Sequence, residues 1–279
     1  MSNGTVGTAR HALAGAALAF AALGLGACSW FGSSSKDDMY VEQPVDQLYN
    51  RALDALGHQD YKAAAKGFEE VDRQHPYSVW ATKAEIMVAF TYYESNKYDD
   101  AIIALDRFIQ LHPGHRDIPY AYYLKALCYY EQISDVGRDQ RITQQALDNL
   151  SEVVKRFPDS PYARDARLKV ELAIDHLAGK EMDIGRYYQK QGIYIAAINR
   201  YRTVIERYQS TTHVPEALNR LVESYTALGV KSEAQSAASV LGYNFPGSDW
   251  YADSYYLLTG EDYRPPSEKT SHWWSLGIF

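Results

Sequence analysis

Few side chains in this sequence are placed to make or break bonds. There are two thiols, Cys28 and Cys128. Cys28 closes an apolar run and directly follows Gly26 and Ala27, whereas Cys128 falls inside a helical pattern and reads as a small buried thiol. His112 and His115 stand three apart in HPGHRD, but no third ligand follows at helical spacing, so the pair reads as part of a loop and not as a metal site. The adjacent carboxylates Glu69-Glu70 and Asp99-Asp100 fall at helix positions expected to be solvated. No Gly-rich phosphate loop, GxSxG or HExxH occurs. The residues therefore predict no catalytic constellation, no metal and no cofactor, and a chain that works by binding.

The elements that would present a binding surface are legible in the spacing. In Thr82–Pro113, Ala89 and Ala101 are twelve residues apart. Tyr92 follows the first by three, and Leu105 and Phe108 follow the second by four and seven. This fits two short amphipathic helices joined by a turn around Ser95 to Lys97, with the alanines at the crossing. The spacing recurs at Ala52/Ala64, Gly185/Ala197 and Val222/Ala234, and at Ala126/Ala146 with eight extra residues. Those extra residues, between Glu131 and Thr143, read as a solvated loop. Arg164 to Tyr188 contains only Gly179 and Gly185 as weak breakers, so a long helix is expected to join the third unit to the fourth. The connectors rhyme as well: Pro76 to Ala81, Pro158 to Ala163 and Pro246 to Ala252 each run proline, serine, aromatic, alanine. Proline ends one helix and serine or aspartate caps the next, so a last helix is expected from Asp249 to about Leu258. Five units in register resemble tetratricopeptide repeats. The fold expected is all-α, an α-solenoid of about five such hairpins over residues 45–258.

Composition agrees. The formal charge is −7, and no clustered Lys/Arg face suggests nucleic acid. The 24 tyrosines suit stacked hairpins, where the ring fills a gap and the hydroxyl stays wet.

The ends carry a different signal. Arg10 and His11 precede the apolar run Ala12 to Ala27, too short for a comfortable membrane span and patterned like a signal peptide. Its end, Leu25-Gly26-Ala27-Cys28, resembles the bacterial lipoprotein box, which implies cleavage after Ala27 and acylation, palmitate included, of Cys28. Ser29 follows where an aspartate would imply retention in the inner membrane, so the resemblance implies the outer one. Residues 1–27 thus read as signal peptide and 28–44 as a flexible tether. Residues 259–279 read as an irregular tail containing Pro265-Pro266 and ending in HWWSLGIF.

The box, the tether, the five repeats and the connectors together resemble the BamD (ComL/YfiO-type) outer-membrane lipoprotein family, over Cys28 to about Leu258. The resemblance implies a lipid-anchored subunit of the β-barrel assembly machinery on the periplasmic face of the cell outer membrane. Implied partners are the BamA periplasmic domains, other Bam lipoproteins, unfolded outer-membrane β-barrel substrates and, through the anchor, outer-membrane lipid. A periplasmic repeat adaptor for cell-wall synthesis or division is the alternative that the repeats alone would allow.

Two surfaces follow. Residues three before, one after and four after each unit's first small residue form a stripe on the first helices. In the early units it is Tyr49, Leu53 and Leu56, then Ile86, Phe90 and Tyr93, then Tyr123, Leu127 and Tyr130. Such a groove would suit an extended peptide with aromatic side chains. In the fourth unit, the resemblance implies that Arg200, in Asn199-Arg200, contacts BamA; a guanidinium can fork onto a carboxylate there as lysine cannot.

Overall fold

The computed structural model describes residues 42–263. The signal peptide, Ala27, Cys28, most of the tether and the tail beyond Tyr263 lie outside the described residues. Eleven α-helices occur within them: α1 (Val45–Gly57), α2 (Tyr61–Gln74), α3 (Val79–Glu94), α4 (Tyr98–Leu111), α5 (Ile118–Tyr130), α6 (Arg141–Arg156), α7 (Pro161–Lys190), α8 (Tyr194–Arg207), α9 (Val214–Ala227), α10 (Lys231–Asn244) and α11 (Asp249–Thr259). Successive helices pack antiparallel on one another, giving five hairpins, with α11 closing against α9 and α10. The expected solenoid is therefore present, with the last helix starting at Asp249 as anticipated.

The spacing works because of what each crossing buries. Ala52, Ala64, Ala89, Ala101, Ala126, Ala146, Ala197, Val222 and Ala234 are all at most 2% exposed, and Gly185 is buried with them. Beside each pair lies one filler from the second helix: Phe68, Leu105, Leu150, Tyr201 or Ala238. Filler and crossing residue trade size. Tyrosine, the largest filler, faces glycine; alanine, the smallest, shares its cluster with Val222. Constant interhelical volume at varying sequence is what close packing demands.

The turns inside hairpins one, two, four and five share one backbone. Gln59, Asn96, Gly192 and Gly229, each seven residues past the small residue, adopt φ between 58° and 77°. The next N–H then donates back to a helix carbonyl at 2.9 Å: Asp60 to Ala55, Lys97 to Tyr92, Ile193 to Tyr188, Val230 to Tyr225. This left-handed residue ends one helix and starts the other within three residues. On the opposite edge, the connector serines cap as expected. Ser78, Ser160 and Ser248 side chains accept from the N–H of Ala81, Ala163 and Tyr251 at 3.1–3.2 Å.

Two features tie the third and fourth hairpins together. One is α7, thirty residues without a break. The other is the insertion, a solvated loop as expected, with Asp135 and Arg141 exposed, but also attached to its neighbour. Gly137, Arg138 and Asp139 are exposed, but the loop is fastened onto α7: His176 Nε2 lies 2.8 Å from the Ser134 carbonyl, and Lys180 Nζ donates to that of Gly137 at 2.8 Å. Gly179 leaves the room, since a β-carbon there would sit 3.3 Å from His213 and 3.6 Å from Val136.

Candidate functional site

The stripe on the first helices is half packing and half surface. Ile86 is 8% exposed and belongs to the core of the second hairpin. Tyr49 sets its ring against Phe68 and Trp80 at 5.4 and 4.8 Å. Tyr123 stacks on Tyr162 of α7 at 5.2 Å and donates its hydroxyl to Asp165. That bond, with Lys169, holds the Asp165 carboxyl below the usual carboxylate range, while burial and Asp165 push the Tyr123 phenol up. Phe90, Tyr93, Leu127 and Tyr130 are partly buried and keep an accessible edge, and Leu53 is 36% exposed. Tyr93 meets Tyr98 edge-on at 5.9 Å, and Tyr130 faces the Lys169 ammonium at 5.3 Å. Tyr49, Ile86 and Tyr123 are thus tied into packing between helices, while Leu53, Phe90, Tyr93, Leu127 and Tyr130 keep accessible surface.

Continued into the last two hairpins, the same positions become Met182, Arg186 and Gln189, then Asn219, Glu223 and Thr226. Met182 packs in the core and the buried Thr226 hydroxyl finds no partner among the described residues, but Arg186, Gln189, Asn219 and Glu223 join a polar network that sequence reading did not single out. Arg186 Nη1 donates to both oxygens of Glu216 at 3.0 Å, and its Nη2 donates to Asp183 at 2.6 Å. Arg220 donates to Glu216 at 3.4 Å and Glu223 at 2.9 Å, with its guanidinium 5.6 Å from the Trp250 ring centroid. Gln189 donates to Glu223 and accepts from the Tyr201 hydroxyl. Ser254 of α11 donates to buried Asn219 at 2.7 Å. Burial opposes the charge on Arg186 and Arg220, but their carboxylates outweigh it and raise both above the usual guanidinium value. The signal available was Glu216, Arg220 and Glu223 at helical spacing. The cross-repeat partners thirty residues away carried none.

Arg200, on α8, pairs with Glu181 of α7, its Nη1 lying 3.0 Å from the carboxylate, and its side chain remains 42% exposed. The residues declined for chemistry sit in structural roles. His112 Nε2 lies 2.9 Å from Glu85, His115 lies 3.7 Å from Asp117, and burial pushes the Cys128 thiol up to about 12. No helix among the described residues is long and apolar enough to cross a membrane.

Comparison with known proteins matches this layout. The family model YfiO, described as outer membrane lipoprotein, matches residues 41–241. The outer membrane protein assembly factor BamD of Caulobacter vibrioides is 51% identical over 82% of this chain and 75% of its own length. That of Rickettsia prowazekii is 46% identical over 87% of this chain and 95% of its own. Among solved structures, the TPR2AB domain of yeast Sti1 covers 77% of this chain and 81% of its own at 12% identity and a TM-score of 0.41. With a family model spanning the solenoid and relatives near half-identical across it, the chain belongs to the YfiO family of outer membrane lipoproteins.

Proposed function

We propose that this chain serves outer membrane protein assembly as a lipid-anchored, non-enzymatic scaffold. Acylated Cys28 holds it to the periplasmic face of the outer membrane. Its first-helix face receives unfolded β-barrel chains, and its later hairpins engage the BamA periplasmic domains and other Bam lipoproteins. The assembly role follows the names of its relatives. The observation that carries the division of labour is the change along the first-helix positions, from accessible aromatic and aliphatic side chains in hairpins one to three to an ion-pair network in hairpins four and five. A barrel strand exposes alternating apolar and aromatic residues before it inserts, and partly exposed Leu53, Phe90, Tyr93, Leu127 and Tyr130 can cover them. Arg200 keeps guanidinium surface for a carboxylate on a folded partner.

Two substitutions test the two halves. Phe90→Ala is expected to weaken binding of a barrel-strand peptide about tenfold, ~1.4 kcal/mol, measured by fluorescence anisotropy. Phe90 also packs on the core, so the helical circular dichroism must be unchanged for the loss to count. Unchanged affinity refutes the groove. Arg200→Gln, and more strongly Arg200→Glu, which sets a carboxylate against Glu181, is expected to reduce BamA co-purification; wild-type yield for both refutes that contact. For the anchor, labelled fatty acid is expected on the mature chain and absent from Cys28→Ser, and an unlabelled mature chain rejects it.

A further inference from the structure

Four hairpins make the same turn, yet the side chains on it change character. In hairpin one, the helix-capping position is Asp60, whose carboxylate accepts from the Ala63 N–H at 3.1 Å. In hairpin two, Lys97 stands there, with Asp99 and Asp100 in the first turn of α4. In hairpins four and five the position is Ile193 and Val230, 51% and 39% exposed, which offer the helix no side-chain bond. Ile195 and Leu228 beside them are 68% and 42% exposed. The backbone is the same in all four turns, so folding does not call for aliphatic residues at these places. Aspartate or serine would satisfy an orphan N–H that isoleucine and valine leave to water. Lys231, the first residue of α10, also opposes the helix dipole there. Because the helices alternate in direction, both turns lie on one edge of the solenoid, and the loops between hairpins lie on the other. Lys190 and Lys231 flank the four aliphatic side chains, and neither is salt-bridged within the described residues; exposed Glu233 is the one carboxylate in the first turn of α10.

We infer that the turn edge of hairpins four and five, built from Ile193, Ile195, Leu228 and Val230 between Lys190 and Lys231, rests against a phospholipid surface. Protruding aliphatic tips enter the region between headgroups and acyl chains, and lysine stems follow them while their ammonium groups stay at the phosphates. So small an apolar edge is weak alone; it acts because a chain already held to the bilayer meets it at high effective concentration. The inference therefore rests on acylation of Cys28.

The test uses the full acylated chain in phosphatidylethanolamine–phosphatidylglycerol vesicles. A nitrobenzoxadiazole fluorophore is placed at Ile193→Cys, Val230→Cys or, on the opposite edge, Tyr77→Cys, a fully exposed position. Brominated lipids are expected to quench the first two several-fold more than the third. Ile195→Asp with Leu228→Asp is expected to bring position 193 down to the level of position 77. Equal quenching at all three positions in chains that float with the vesicles overturns the inference and leaves the anchor standing. Shielding of 193 and 230 that appears only with co-purified partners overturns it in favour of a protein interface. Chains that do not float overturn both readings.

Discussion

Gly185→Ala is expected to destabilise the fourth hairpin although alanine is the better helix former. In an exposed helix the exchange would stabilise by roughly 0.5–1 kcal/mol. Here a β-carbon would lie 2.4 Å from Cε1 of Tyr201 and 2.9 Å from Cδ1 and Cζ. The ring cannot step aside, because Tyr201 is fully buried and its hydroxyl is held by Gln189 at 2.7 Å. Overpacking of this kind costs about 1–3 kcal/mol, and Gly185→Val more. For a folded body of this size that is a fall in Tm of ~2–4 °C per kcal/mol. The size exchange across the crossings supplies the control. Ala126 lives beside Leu150, so Gly185→Ala combined with Tyr201→Leu reproduces the third hairpin's pairing. The double variant is expected to be more stable than the sum of the singles predicts, by ~1 kcal/mol or more in a double-mutant cycle. Additive losses would mean that the contact between glycine and ring is not the reason for glycine.

That pairing marks how far the sequence could be read. Twelve-residue spacings located four hairpins, and the same pair of small residues with eight more between them located the third, because a small residue is required wherever two helices cross and the requirement is local. Serines after Pro76, Pro158 and Pro246 marked helix starts for the same reason. The lack of any breaker stronger than Gly179 and Gly185 between Arg164 and Tyr188 disclosed α7. What stayed hidden depends on stacking. Glu216 meets Arg186 only because α9 packs beside α7. Helical spacing put Tyr123 on the stripe, but not the Tyr162 ring that covers it. Ile86 shares the stripe's periodicity with Phe90, yet one turns into the core and the other keeps an edge free. Periodicity names a face; the neighbouring repeat decides how much of it remains a surface.

Leu172→Pro is expected to split the molecule's unfolding in two. Leu172 lies near the middle of α7 and is 58% exposed, so its side chain contributes little; Leu172→Ala should be neutral within about 0.5 kcal/mol. Proline there removes one N–H from the helix ladder and presses its ring on the Leu168 carbonyl, a cost of ~3 kcal/mol or more. The larger consequence is loss of coupling. Ala163 and Ala166 lie in the half of α7 that serves the third hairpin, and Ala178, Met182 and Gly185 in the half that serves the fourth. In a solenoid, stability passes between neighbours, so a continuous helix through the junction makes the halves unfold together. The insertion also bridges the break, through His176 and Lys180, but two hydrogen bonds, one part-buried and one exposed, contribute only about 0.5–1.5 kcal/mol each. Calorimetry is expected to show one transition for the parent and for Leu172→Ala, and two for Leu172→Pro. A single transition, merely shifted, would show that coupling runs through the insertion and not through the rod. Because hairpins one to three keep their own packing, the proline variant should bind a barrel-strand peptide with near-parental affinity while losing co-purified BamA. That outcome would locate the two proposed activities in separable halves held at a fixed relation by α7.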